Sequence, residues 1–588
     1  MNLESTAMVL LDFLRGGAGL GRITGPIFDK ELRVASRRRH THILRAAYVA
    51  LLAAFVGVAW WAEVGQTSYA PMYQAYRMAE AGKFIVAVML WFQFCALQLV
   101  AIMMLSNAIS EEVNRRTLGV LIATPITSLQ IVAGKLGSRL LQVMLLLAVS
   151  LPVMMVVRVF GGVPMGYVLA GVSITVTAVL FCGSLSLFLS IRQRRVWLVV
   201  LMTFIALGLM FVLFPLLVGV LFRGGRRDDV MIVLAYGNPY LALLYETAQA
   251  MSPRGMGAFT FHWPVHCAIM LGLSGLLVAM SAVGVRRVAM RQALGGSDDG
   301  GPKARPPAGA TRLRRVHGPP MVWIESARST FGSRRKTVVV VVIGLALLLL
   351  TYLLMSDELR YRDVNAVFSI TFAILGMLTT LTLAATTVTT ERESQTWPLL
   401  LCTPLGSREI VFGKAVGVLR RSLPVWGLWF FHLLVLMPFG YTHPVMLVHA
   451  AMLTVGMACL ATGTGLFFSS LVRRTTTAVV LNVLFHAFLW AGIPTILLLI
   501  CELLIRKSVL AEGPLCLNAF VQVFVTMSPR EPWIESVPVT EQYNWPDPLD
   551  LMGWLATTMV VGLTMVGYVV VAAGFAAAAA ARLRRKDA

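Results

Sequence analysis

The chain has 588 residues, 57% hydrophobic and only 13% charged, with a net charge of +22 at pH 7 and a mean hydropathy of +0.77. Soluble globular chains are nearer a quarter charged, so a soluble enzyme or binding domain is excluded. Many apolar runs reach the ~18–20 residues that a helix needs to cross the hydrocarbon. They do not alternate apolar and polar residues, which excludes a β-barrel. The class is an all-α polytopic membrane protein.

In chain order, residues 1–42 read as a cytoplasmic segment. Phe28 to Arg33, followed by Arg37, Arg38 and Arg39, has the pattern of a helix lying at the membrane surface, or of a basic flank that sets orientation. Met8–Leu14 is a short apolar patch with no small-residue cleavage pattern after it, so it is not read as a signal peptide. Spans are expected at 43–61, 84–106, 140–157, 166–190, 196–222 and 264–285, forming a first six-span repeat over 43–285. Residues 286–336 form a cytoplasmic linker and a second surface segment. The linker is Pro/Gly-rich at Gly295–Pro302 and Pro306–Gly309, and Glu325 before Arg334–Lys336 repeats the theme of Glu31 before Arg37–Arg39. Spans resume at 337–355, 366–388, 422–439, 444–470, 477–505 and 551–580, giving a second repeat over 337–580 and a basic cytoplasmic tail at 581–588. The fold expected is two tandem six-helix transmembrane repeats, about 12 spans in all.

Charge tests this topology. With the N-terminus inside, the inner segments hold 38 of the 50 Lys and Arg residues, and the two sides net +25 inside and −3 outside. That is the positive-inside bias. It places both termini in the cytoplasm, and it removes most of the case for nucleic acid, because the basic residues are spread over seven short loops. The seven cysteines lie singly, with no CxxC pair or metal spacing, and read as small packed side chains.

One stretch occurs twice. Glu112–Lys135 and Glu391–Lys414 align without a gap at an offset of 279, sharing Glu112/Glu391, Thr117/Thr396, Thr124/Thr403, Pro125/Pro404, Gly134/Gly413 and Lys135/Lys414 among other identities. Each copy is a polar elbow between the second and third spans of its half. Met251–Arg254 and Met527–Arg530 are both Met-Ser-Pro-Arg and lie between the fifth and sixth spans. Matching marks in the same order indicate a tandem duplication with parallel halves. In the elbow, Thr117–Ile122 can form a short helix that Thr124-Pro125 stops. Thr127 or Ser128 can cap a second short helix, Gly134 permits close packing, and Lys135 is expected to face head groups or a partner.

The pattern Glu-x3-Arg-Thr-Leu…Thr-Pro…Gly-Lys resembles the loop after the second span in ABC-2-type transporter permeases. The resemblance covers 28–290 and again 321–583. It implies six spans per unit, an amphipathic N-terminal helix, and a coupling helix in this loop that docks on a separate ATP-binding subunit. Carried over residue by residue, it assigns coupling to Glu112, Arg115, Arg116, Thr117, Thr124, Pro125, Gly134 and Lys135. The second set is Glu391, Thr396, Thr403, Pro404, Gly413 and Lys414. The second copy departs from the pattern: Ser394 and Gln395 replace Arg115 and Arg116, and Trp397-Pro398 replaces Leu118-Gly119. The ATPase therefore faces two unlike sockets.

Chemistry is not expected in the chain itself. Gly134-Lys135 is followed by Leu136 and Gly413-Lys414 by Ala415, so neither is a phosphate-binding loop, which needs Ser or Thr there and an upstream glycine. No serine-nucleophile or zinc-protease motif occurs. His262/His266 and His443/His449 lack acidic or Cys partners and are not read as metal sites. No cofactor or metal is expected; ATP would act through the partner subunit, about two copies per chain. The spans carry almost no carboxylates, which argues against a proton-coupled carrier. The function expected is a permease subunit of an ATP-driven exporter in the cell membrane, in contact with lipid and not nucleic acid. The rival readings are a major-facilitator-like secondary carrier and a non-transporting membrane scaffold.

Overall fold

The structure is a computed structural model that describes residues 71–110, 126–161, 163–193, 196–215, 227–251, 261–293, 318–327, 334–354, 362–494, 517–527 and 551–587. It also describes single positions such as Phe28, Tyr48, Glu112 and Thr124. Among the described residues all regular structure is helical, and eight helices are long and apolar enough to cross a membrane. Shorter apolar helices lie at Val196–Val212, Gly344–Leu353 and Thr475–Trp490. The span expected at 43–61 falls mostly outside the described residues. The chain divides into two compact units, one of residues 1–203 and 231–312, the other of 204–230 and 313–588.

The first unit contains α1 (Pro71–Leu105), α2 (Ser128–Gly161), α3 (Met165–Arg192), the start of α4 (Val196–Gly208), most of α5 (Arg227–Gly237), α6 (Pro239–Met251) and α7 (Trp263–Ala293). Its core is built from apolar residues at helical spacing: Leu97, Ala101 and Leu105 of α1, Val132, Leu136, Leu140 and Val143 of α2, Leu187 and Ile191 of α3, and Val285 and Ala289 of α7. The sixth expected span is the peripheral one. Within the candidate spans α7 is 22% buried against 72% for α3, so most of its surface is left for lipid.

The second unit contains α8 (Pro320–Ala327), α9 (Arg334–Leu354), α10 (Arg362–Glu393), α11 (Trp397–Leu401), α12 (Ser407–Leu436), α13 (Pro444–Leu471), α14 (Thr475–Ala487), α15 (Ala519–Met527) and α16 (Leu551–Asp587). Without a hydrophobic drive between helices in lipid, close approach relies on small residues. A Cβ added to Gly463 of α13 would lie 2.4 Å from the Ala572 carbonyl oxygen of α16; only glycine lets these two backbones touch. Trp426 and Trp429 fill the space between α12 and its neighbours, and the Trp426 indole N–H donates to Thr380 Oγ1 at 3.1 Å.

The third span of each half departs from expectation. The apolar runs begin at 140 and 422, but the helices start at Ser128 and Ser407. Lys135, Ser138, Lys414 and Ser422 turn inward within these stretches, and each helix runs on past the apolar residues. The elbow's second short helix is therefore no separate element but the first turns of the span. The segments between the fifth and sixth spans also hold helices. α6 and α15 end at Met251 and Met527, the first residues of the two Met-Ser-Pro-Arg marks. Each begins after an asparagine whose side chain accepts from the first turn: Asn238 Oδ1 from Tyr240 N at 2.9 Å, and Asn518 Oδ1 from Phe520 N at 2.9 Å. This is ordinary N-capping by asparagine.

Two wide helical turns also recur. Five-residue π segments follow α4 at Leu209–Leu213 and α14 at Phe488–Gly492, again 279 residues apart. A π turn frees a carbonyl from the regular ladder. In the second unit the Trp490 carbonyl accepts from Asn518 Nδ2 at 2.6 Å, so the asparagine that caps α15 also satisfies the wide turn.

Candidate coupling elbows

In the first elbow, α1 ends at Leu105 and Glu112 follows shortly after. Helix termini leave carbonyls without intrahelical partners, and cations are favoured there. Lys135, one helix away on α2, supplies the cation: its Nζ lies 3.0 Å from the Ala108 carbonyl and 3.0 Å from Glu112 Oε1. One turn on, Arg139 donates to the Met104 carbonyl. α2 opens with a reciprocal cap. Thr127 Oγ1 accepts from Gln130 N at 3.2 Å while Gln130 Oε1 accepts from Thr127 N at 2.9 Å, the capping-box arrangement. Thr124 is exposed and Gly134 buried, while Arg115, Arg116, Thr117 and Pro125 lie outside the described residues.

The second elbow is described throughout. Lys414 Nζ lies 2.7 Å from Glu391 Oε1 and 3.3 Å from the Thr387 carbonyl. Every position of the first clamp is displaced by 279: Ala108 by Thr387, Glu112 by Glu391, Lys135 by Lys414. Lys414 is fully buried and Lys135 only 4% exposed. The lysines therefore do not face head groups or a partner, as the sequence suggested. Each turns inward, where it neutralises a carboxylate and meets a main-chain carbonyl at once. The identical 23-residue Glu–Lys spacing in both copies was the signal that could have revealed the pair.

Between these fixed ends the second elbow presents an exposed turn. α10 closes with a Schellman arrangement: Thr396 N donates to the Glu391 carbonyl at 2.9 Å and Gln395 N to the Arg392 carbonyl at 3.3 Å. Gln395 sits at φ 59°, the left-handed region that glycine favours. α11 follows, with Pro398 in its first turn, then Thr403, whose hydroxyl donates to the Leu400 carbonyl at 2.6 Å. Leu399 is 70% exposed, Phe412 61% and Leu401 40%; Thr396, Thr403 and Pro404 are exposed and Gly413 is buried. Large apolar side chains on a polar turn are what a partner would cover.

Arg392 and Glu393, which sequence reasoning did not single out, and Glu325, read there only as part of a second surface segment, hold this turn to the rest of its unit. Arg392 Nη1 donates to the Ser470 and Val472 carbonyls at 3.1 and 3.3 Å, at the end of α13. Glu393 accepts from Thr475 N at 2.8 Å, at the start of α14. The charges match the helix dipoles they meet, positive at a C-terminus and negative at an N-terminus. Glu325, on α8, is 1% exposed and lies 3.7 Å from Lys414 and 3.4 Å from Arg421. α8 is pressed against α12 at two glycines: a Cβ on Gly413 would come within 2.7 Å of Met321 Cβ, and one on Gly417 within 2.7 Å of Glu325 Cβ.

The histidines considered for metal are engaged locally. His266 Nδ1 lies 2.9 Å from the Tyr236 carbonyl, and His443 Nδ1 accepts from Val445 N at 3.3 Å as the cap of α13. No group of three or more potential metal-ligating side chains occurs among the described residues.

Residues 26–291 fit the family described as ABC-2 family transporter protein. No curated protein and no solved structure matches the chain. The matched segment carries the first elbow with its Glu112–Lys135 clamp, and its limits nearly coincide with the 28–290 of the first copy. Residues 26–291, a little under half of the chain, are thus similar to the ABC-2 family of transporter proteins.

Proposed function

We propose that this chain is a tandem fusion of two six-span permease units and docks separate ATP-binding subunits, one on each cytoplasmic elbow, to drive export across the cell membrane. The observation that carries the reading is the repeated clamp. In both copies a buried lysine ties the third span to the end of the second through a carboxylate and a carbonyl at the same spacing. Between those ties the second copy exposes Leu399, Leu401 and Phe412. A rigid base under an exposed apolar turn is suited to receive force from a partner.

On this reading the chain supplies no nucleotide chemistry. The partner subunits bind and hydrolyse ATP, and their closure pushes the elbows. Because Lys135 and Lys414 fix each elbow to two spans at once, a push at the turn moves those spans as a body rather than bending the loop. Both termini lie in the cytoplasm, as the charge distribution requires, and two parallel halves give a pair of ATPase subunits one elbow each.

The test is capture of the tagged chain from its native membrane in mild detergent, with the exposed apolar residues as the lever. A P-loop ATPase should accompany the wild type at near two copies per chain. Leu399→Asp with Phe412→Asp should lower its recovery while leaving the chain monodisperse. Retention of the full amount by the double variant would refute docking at the second elbow.

A further inference from the structure

Buried charge in the second unit extends beyond the clamp. Glu391, Lys414, Glu325 and Arg421 form a continuous chain at 2.7, 3.7 and 3.4 Å, two acidic and two basic groups with no net charge. Arg421 Nε also donates to the Gly417 carbonyl at 3.0 Å. Its members come from three elements: the end of α10, the short helix α8, and α12. Buried charges are tolerated only when paired and hydrogen-bonded, and removing one partner leaves the other uncompensated. The four groups therefore stay together or separate together. At the position of Arg421 the first copy has Gln142.

We infer that Glu325 is a positioning residue for coupling: through Lys414 and Arg421 it fixes the helix after the inter-repeat linker to the second elbow, so that α8, the turn at 394–406 and the start of α12 move as one body. This rests on the docking reading for its role in transport, but the mechanical link itself is a property of the chain alone. The close packing at Gly413 and Gly417 supports it independently, because α8 touches α12 there with no room for a methyl group.

The experiment is hydrogen exchange followed by mass spectrometry on the purified full chain in detergent or nanodiscs, with no ATPase present. Glu325→Gln should raise exchange about tenfold in both 320–327 and 394–406, while 444–471 stays protected. Gly417→Ala, which presses on Glu325 without altering charge, should reproduce the same paired rise. Glu325→Asp, which keeps the negative charge toward both Lys414 and Arg421, should hold both segments nearer to wild type than Glu325→Gln does. Faster exchange in α8 with the elbow unchanged would overturn the inference. So would a rise spread evenly over all spans, or Glu325→Asp exchanging as fast as Glu325→Gln. Because no partner is used, failure here is distinct from failure to capture an ATPase.

Discussion

Replacing Lys414 by Met separates the clamp from any surface role, since the lysine is fully buried and Met keeps its length. The loss strands Glu391, 14% exposed at its side chain, and leaves Glu325, 1% exposed, with Arg421 as its described ionic partner. Breaking a buried ion pair from one side costs about 3–5 kcal/mol. Lys135→Met is milder. Glu112 is 26% exposed at its side chain and can rehydrate, so the expected cost is about 1–2 kcal/mol, nearer that of a charged hydrogen bond. Adding Glu391→Gln to Lys414→Met removes the stranded charge and should recover more than half of the loss. Unfolding of the detergent-solubilised chain, followed by thermal challenge and size-exclusion recovery, ranks the three variants. Equal losses at 135 and 414, or no recovery in the double variant, would refute the account of Lys414 as an internal neutraliser.

Other outcomes follow from neighbouring residues. Gln395→Gly should raise stability by roughly 0.5–1 kcal/mol, because a side chain at φ 59° is disfavoured and glycine is not; calorimetry or a thermal-shift assay reads it. Gly413→Leu should lower the yield of folded chain sharply, since even a Cβ there would lie 2.6 Å from Met321 Cγ, and fluorescence-detected chromatography reports it. Burial pushes the Glu246 carboxyl on α6 up to about 7. A carboxyl held above its unfolded value adds stability at low pH that is lost as pH rises through that value. Glu246→Gln should therefore raise Tm at pH 8 and change it little at pH 5; the same gain at both would contradict the assignment.

Much of this was legible before any coordinates. The elbow announced itself because two copies kept Thr-Pro and Gly-Lys at one offset while the spans around them diverged, and the spans announced themselves by length and apolarity. The inward turn of Lys135 and Lys414 was not legible from one copy, because a lysine at the edge of an apolar run reads as snorkelling. Its partner lies 23 residues earlier, out of reach of any helical period. The latching of Arg392 and Glu393 depends on where α13 ends and α14 begins, a long-range packing outcome rather than a local pattern. The same holds for Glu325, whose neighbours Lys414 and Arg421 come from another helix 89 and 96 residues on. The wide turns at Leu209 and Phe488 leave no mark in side-chain type, since a π turn changes backbone pairing and not the composition of an apolar span.

The most direct test of the central claim is the composition of the complex that follows the tagged chain out of its own membrane. The account predicts a P-loop ATPase at near two copies per chain, lost in part when Leu399 and Phe412 are made acidic. Recovery of the chain alone, under solubilisation that keeps other membrane complexes together, would contradict it.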